Sequence, residues 1–188
     1  MQPVVDSPHY DKTTIFLHWT TAILVVIQWL GAQTIDFFPK GPLRVDARSV
    51  HITLGLLIAA ILIARIVWRL TKGRRLPLAD AGALALVSKA VHWGLYALLA
   101  AMVIVGAALT WTRGDSIFNL FSIPAFDPNA HDLADHVQDV HAAIGWAILA
   151  LAGFHASAAL VHRYFWRDRI LDRMLPGAQA PGQSRGLS

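Results

Sequence analysis

Four apolar runs, each about as long as a membrane is thick, dominate this chain of 188 residues. They lie at roughly Ile15 to Ile35, Val50 to Leu70, Ala90 to Trp111 and Val140 to Val161. A helix rises about 1.5 Å per residue, so about 20 apolar residues cross a hydrocarbon core of about 30 Å. Water is absent there, and a helix satisfies its own backbone amides and carbonyls. The expected fold is therefore all-α, an integral membrane four-helix bundle. A composition that is 55% hydrophobic and only 15% charged agrees. Residues 1–175 are expected to form this one transmembrane domain, with 176–188, PGAQAPGQSRGLS, as a disordered tail. The first run begins near His18-Trp19 and is followed by FFPKGP rather than by small residues suited to cleavage, so it is expected to remain as a helix.

Charge in the connecting segments predicts orientation. Lys72, Arg74 and Arg75 follow the second run, with Arg65 and Arg69 in its end, and Arg163, Arg167, Arg169 and Arg173 follow the fourth. Basic connections stay in the cytoplasm, which places both termini there. The two outer connections hold Lys40, Arg44, Arg48 and Arg113 against Asp36, Asp46, Asp115, Asp127, Asp132, Asp135 and Asp139. The net charge of +4 thus reflects topology and gives no reason to expect a nucleic-acid partner.

Several chemistries lack their residues. There is no cysteine, which removes disulfides, iron–sulfur clusters and thioether-attached haem. There is no glutamate, no HExxH helix, no phosphate-cradling GxxxxGK loop and no nucleophile-elbow serine, so conventional hydrolysis and phosphoryl transfer are not expected.

The histidines are the unusual content. VHAAIGWAILALAGFH carries His141 and His155 near its ends, 14 residues or about 21 Å apart and within about 40° of one helix face. Polar groups inside a membrane are costly and usually functional. If the helices alternate in direction, His51 lies level with His141 near the outer face, and His18 lies level with His155 near the inner face. Two neutral imidazoles per site, without thiolate or carboxylate, suit the axial positions of a six-coordinate haem iron better than zinc. The expectation is two b-type haems stacked across the bilayer, on His51 with His141 and on His18 with His155. Four residues beyond each of these stand Ala22, Gly55, Gly145 and Ala159, small enough to leave room beside a porphyrin. His92 also sits at the inner level and is the rival ligand there, although Tyr96 follows it at that spacing. His162 is read as an interfacial anchor, His131 and His136 as outer-loop residues, and His9 as part of the N-terminal tail.

Arg65 falls 14 residues after His51 and so points to the inner site. It either pairs with a haem propionate or quinone head group, through its forked donors, or snorkels to the inner surface with Arg69. Trp19 and Trp93 are candidate walls of a quinone pocket beside His18, His92 and Arg65.

The segments LHWTTAILVVIQWLGA, FFPKGP, SVHITLGLLIAAILIARIVWRL, AVHWGLYALLAAMVIVG and VHAAIGWAILALAGFHASAALVHRYFWRD together resemble the bacterial cytochrome b561 family over all but the two ends of the chain. The resemblance implies a four-helix protein of the bacterial inner membrane with two b haems, and the matching ligand positions fall on His18, His51, His141 and His155. Its best-understood kind implies an oxidoreductase that takes electrons from periplasmic superoxide and gives them to ubiquinone. On that reading Lys40, Arg44, Arg48 and Arg113 would draw the anion to the outer haem, or would be ordinary solvated and headgroup-contacting charge. Five aspartates between Asp115 and Asp139 work against a simple positive funnel, and would instead suit docking of a periplasmic electron-donor protein. The alternative function is therefore a cytochrome b subunit linking a dehydrogenase or hydrogenase to the quinone pool.

Overall fold

The computed structural model describes residues 9–74, 76, 82–168 and 170–176. Four long helices, α1 (Lys12–Thr34), α2 (Pro42–Thr71), α3 (Gly82–Arg113) and α4 (His131–Val161), are each long and apolar enough to cross a membrane. The protein is an all-α four-helix membrane bundle. Consecutive helices pack as neighbours, and α4 returns to α1 through the Trp29 and Trp146 rings, whose centroids are 5.4 Å apart. Of the disordered tail expected over 176–188, all but Pro176 lies outside the described residues, as do Arg75 and Arg169.

Three helices start well before the apolar runs that announce them. α2 begins at Pro42 rather than Val50, α3 at Gly82 rather than Ala90, and α4 at His131 rather than Val140. Hydropathy marks only the lipid-immersed turns, whereas the backbone ladder continues into water wherever polar side chains suit a helix end. Pro42 stands in the first turn of α2, where its missing N–H costs nothing. Asp132 occupies the first turn of α4, where a negative charge favours the helix dipole. His131 and His136 are consequently helical residues of α4 and not loop residues.

The connection from α3 to α4 contains a two-stranded antiparallel hairpin, β1 (Ser116–Ile117) and β2 (Phe121–Ser122), with Ile117 opposite Phe121. Its turn puts both Phe118 and Asn119 at positive φ, 49° and 55°, and closes with Leu120 N–H on the Ile117 carbonyl at 2.9 Å. The right-handed twist of a hairpin favours such a turn, and Asn tolerates it better than Phe. The hairpin is tied to α2 by Ser49, which is fully buried: its hydroxyl accepts from Phe118 N–H at 2.7 Å and donates to the Val45 carbonyl at 2.7 Å. Asn119 adds a bond to Asp46 at 2.8 Å. The end of the bundle that bears this hairpin is called the hairpin end below, and the opposite one the terminal end.

At the terminal end, Asp11 caps α1 and joins it to the end of α2. Its carboxylate accepts from Thr14 N–H at 2.9 Å, Thr14 hydroxyl at 2.6 Å, Trp68 Nε1 at 2.9 Å and Arg74 N–H at 3.1 Å. Partial burial opposes its ionisation, but the bonds from Thr14, Arg74 and Trp68 outweigh that and hold its pKa at about 2, below the ordinary 3.8. After α4 a single wide turn, His162–Trp166, and a short 3₁₀ turn, Leu171–Met174, bring the chain back over the start of α1. There Tyr10 N–H meets the Arg173 carbonyl at 3.2 Å and Trp19 Nε1 donates to the Met174 carbonyl at 2.7 Å.

Candidate cofactor sites

Two histidine pairs face each other across the bundle, one toward each end. His51 of α2 and His141 of α4 have ring centroids 6.2 Å apart, and His18 of α1 and His155 of α4 are also 6.2 Å apart. Two nitrogen–metal bonds of about 2 Å and two ring radii of about 1 Å would separate a pair of axial imidazoles by about 6 Å. Both pairs have that separation. His92 on α3 stands closer to His155, at 5.1 Å, and its Nδ1–H donates to the Ser88 carbonyl of its own helix at 2.7 Å. It is an exposed edge neighbour of the terminal-end pair, too near His155 for an ion to bridge the two rings.

The environment of the hairpin-end pair fits a group held between its rings. Nδ1 of His51 and Nδ1 of His141 are buried without a protein hydrogen-bond partner, which is unusual for nitrogens removed from water. A Cβ on Gly106 of α3 would lie 3.1 Å from Cε1 of His141, so glycine lets this ring lie against α3 without a shift. Among the described residues no three histidines or aspartates gather into a cage for a bare metal ion. Two imidazoles facing one another fit instead an iron whose remaining four donors come from a porphyrin.

The small residues expected to clear porphyrin space are used differently. A Cβ on Gly55 would meet Gln28 Nε2 at 3.3 Å, and one on Gly145 would meet Met102 Cε at 3.4 Å. Both glycines therefore admit side chains of neighbouring helices. Gln28, unremarked in the sequence, reaches across to donate to the His51 carbonyl at 2.6 Å. Gly106 carries no signal beyond being a glycine in an apolar helix.

Arg65 is turned inward. Its guanidinium donates to the Leu17 carbonyl at 3.3 Å, approaches the Tyr96 hydroxyl at 3.5 Å and stacks over the Tyr96 ring at 5.4 Å. Leu17 precedes His18, so the charge is held beside the terminal-end pair. Trp93 is largely exposed beside Tyr96, and Trp19 lies edge-on to His18 with centroids 5.7 Å apart.

The basic residues of the hairpin end do not form one patch. Lys40 is exposed in the turn before α2. Arg44 is bound to Asp36 at 3.3 Å and to the Phe38 carbonyl at 2.8 Å. Arg48 and Arg113 are drawn together by Asp115, whose Oδ1 lies 2.9 Å from Arg48 and 3.6 Å from Arg113. Arg113 also donates to Gln138 on α4 at 3.3 Å. Elsewhere His162 is paired with Asp168 at 2.5 Å, and His9 donates to the Asp172 carbonyl at 3.1 Å.

Comparison with known proteins agrees with this arrangement. Residues 9–177 match the family model described as prokaryotic cytochrome b561. A probable superoxide oxidase CybB of Yersinia pestis is 30% identical over 171 residues, which span 89% of this chain and 96% of that protein. Cytochrome b561 homolog 1 of Escherichia coli K12 is 30% identical, over 89% of this chain and 97% of its own. Cytochrome b561 homolog 2 of the same strain is 29% identical, over 88% and 90%. With a bundle built around paired histidines and a match that runs nearly end to end, the chain belongs to the prokaryotic cytochrome b561 family, membrane electron-transfer proteins that carry b-type haem.

Proposed function

We propose that this protein is a superoxide:ubiquinone oxidoreductase of the bacterial inner membrane. The observation that carries the two-haem relay is the repeated 6.2 Å separation of His51 from His141 and of His18 from His155, one pair toward each end of the bundle, and the likeness to a probable superoxide oxidase supports superoxide as the donor. These four histidines hold two b haems, which supply reversible one-electron chemistry when bound. Arg65, Arg69, Lys72, Arg74 and Arg163 gather at the terminal end, and the positive-inside rule supports reading that end, with both termini, as cytoplasmic. The hairpin end then faces the periplasm.

Two superoxide anions each give up one electron at the hairpin end and leave as dioxygen. One ubiquinone takes up both electrons with two protons at the terminal end and leaves as ubiquinol. The chain's own contribution is placement. α4 supplies one ligand to each haem, Gly106 seats His141, and Arg65 offers forked donors to a quinone carbonyl or a haem propionate beside His18. His92, with its Nδ1–H already given to Ser88, keeps Nε2 as an acceptor for the hydroxyl of the ubiquinol product.

A second reading rests on the exposed carboxylates Asp132, Asp135 and Asp139 in the first turns of α4. They form a surface on which a periplasmic electron-donor protein would dock, making the chain an electron-carrying subunit between a dehydrogenase or hydrogenase and quinone.

The test is haem stoichiometry on the purified protein, with a reduced-minus-oxidised spectrum followed by superoxide and then ubiquinone in the same cuvette. Two b haems per chain, reduced by superoxide and reoxidised by ubiquinone, are expected. Haems that respond to quinol and ignore superoxide would leave the second reading, and a haem-free folded protein would defeat both.

A further inference from the structure

The most deeply buried charge in the described part of the molecule has no part in that reading. Asp115 is 6% exposed, at the end of α3 where the chain turns into the hairpin. Its backbone is pinned on both sides: Asp115 N–H bonds to the Thr110 carbonyl at 3.2 Å, and its own carbonyl accepts from Ile123 N–H at 3.0 Å. Gly114 before it has φ 65°, and a Cβ there would strike Ala125 at 2.9 Å, so the corner has one conformation available. The carboxylate is thus presented at a fixed point.

Onto one oxygen of that carboxylate come Arg48 from α2 and Arg113 from α3. Arg48 is three residues before His51, on nearly the same helix face. Arg113 is seven residues after Gly106, the residue that touches His141, again on nearly the same face. The two guanidiniums therefore stand beyond the His51–His141 pair toward the hairpin end. Without Asp115 between them they would repel each other and part.

Beside them is a cavity of about 320 Å³ lined by Arg48, Arg113, Asp115, Asp127, His131 and Asp135 among others. Its carboxylates outnumber its arginines, so summed charge does not favour an anion. Recognition of an anion here has to be local, through guanidinium donors kept at set positions.

We propose that Asp115 is a positioning residue, which fixes Arg48 and Arg113 as a paired donor site for a small anionic reductant above the His51–His141 site. This rests on the superoxide reading above. It differs from long-range steering in the sign of its prediction. If only the field mattered, removing a negative charge would speed the reaction with an anion.

The experiment uses the purified, haem-loaded full chain in nanodiscs. The second-order rate of haem reduction by superoxide is measured against ionic strength for the wild type, Asp115→Asn and Asp115→Glu. Reduction by a neutral quinol from the other end is the control. We expect Asp115→Asn to slow superoxide-driven reduction about tenfold at every ionic strength, Asp115→Glu to slow it less, and quinol reduction to keep its wild-type rate in both. An unchanged or faster rate in Asp115→Asn would overturn the assignment. So would an unchanged rate together with a shifted haem spectrum, which would mean that the arginines serve the cofactor's own carboxylates. If Asp115→Asn does not assemble, a wild-type rate in Asp115→Glu overturns it alone. Wild-type haems indifferent to superoxide would sink the underlying reading, an outcome visible before any variant is made, and the inference would fall with it.

Discussion

His51 and His141 stand on different helices, yet their rings are separated by the same 6.2 Å as His18 and His155 at the far end of the bundle. The equality is not enforced by one helix pair, since α2 meets α4 in one case and α1 meets α4 in the other. Two b haems, one in each pair, would account for it, and each ring is separately testable.

Replacing His141 with alanine removes one half of the hairpin-end pair and leaves His18 and His155 untouched. The expected result is a fall from two haems per chain to one, read by pyridine haemochrome assay. Retention of two low-spin haems with unaltered spectra would count against His141 as a ligand.

Gly106 gives a graded version of the same test. Alanine would place a methyl 3.1 Å from His141 Cε1, which the ring can relieve by shifting a few tenths of an ångström; leucine cannot be relieved in that way. Gly106→Ala should keep both haems with a perturbed spectrum for one, and Gly106→Leu should lose that one. Equal haem content and identical spectra in all three proteins would show that the close approach is unimportant.

Arg65 should act on turnover and not on assembly. Arg65→Ala is expected to retain both haems and to lower quinone reduction about tenfold, or about 1.4 kcal/mol of transition-state stabilisation. Arg65→Lys should restore little, because an ammonium lacks the fork. Steady-state ubiquinone reduction at several quinone concentrations reads this directly; wild-type turnover in Arg65→Ala would contradict it.

Asp11 predicts a pH dependence of stability. Its folded pKa of about 2 lies below the ordinary 3.8, so its bonds stabilise the fold fully above about pH 4 and are lost as pH falls through about 2. Asp11→Ala removes the helix cap and should cost about 1 kcal/mol at neutral pH. Thermal unfolding in detergent should show a gap between wild type and variant that is constant above about pH 4 and narrows toward pH 2. A gap that widened on acidification would refute the assignment.

What could be read from residues alone was decided by periodicity and depth. Counting along the helices is enough to set His51 level with His141 and His18 level with His155, because rise per residue is constant and alternating helices share a thickness. The same counting keeps His92 as a rival to the favoured His18, since depth says nothing about distance across the bundle; their ring separations from His155 are 5.1 Å and 6.2 Å. Helix ends were misjudged because hydropathy ends at the lipid while the backbone ladder does not. Asp115 and Asp11 were invisible as organisers. Asp115 counted as one of five acidic residues in a loop, and only the corner at Gly114 reveals that it is buried between two arginines from different helices. Gln28 and Gly106 were equally silent, as their roles depend on which helix lies opposite.

α4 contributes one histidine to each pair, so a single hydrogen-bonded rod sets the distance between the two sites. The 14-residue interval from His141 to His155 fixes their separation along the helix at about 21 Å. Inserting one residue between them would swing one ring about 100° around the rod and break the alignment outright. In electrical terms α4 would be the fixed gap of the proposed circuit.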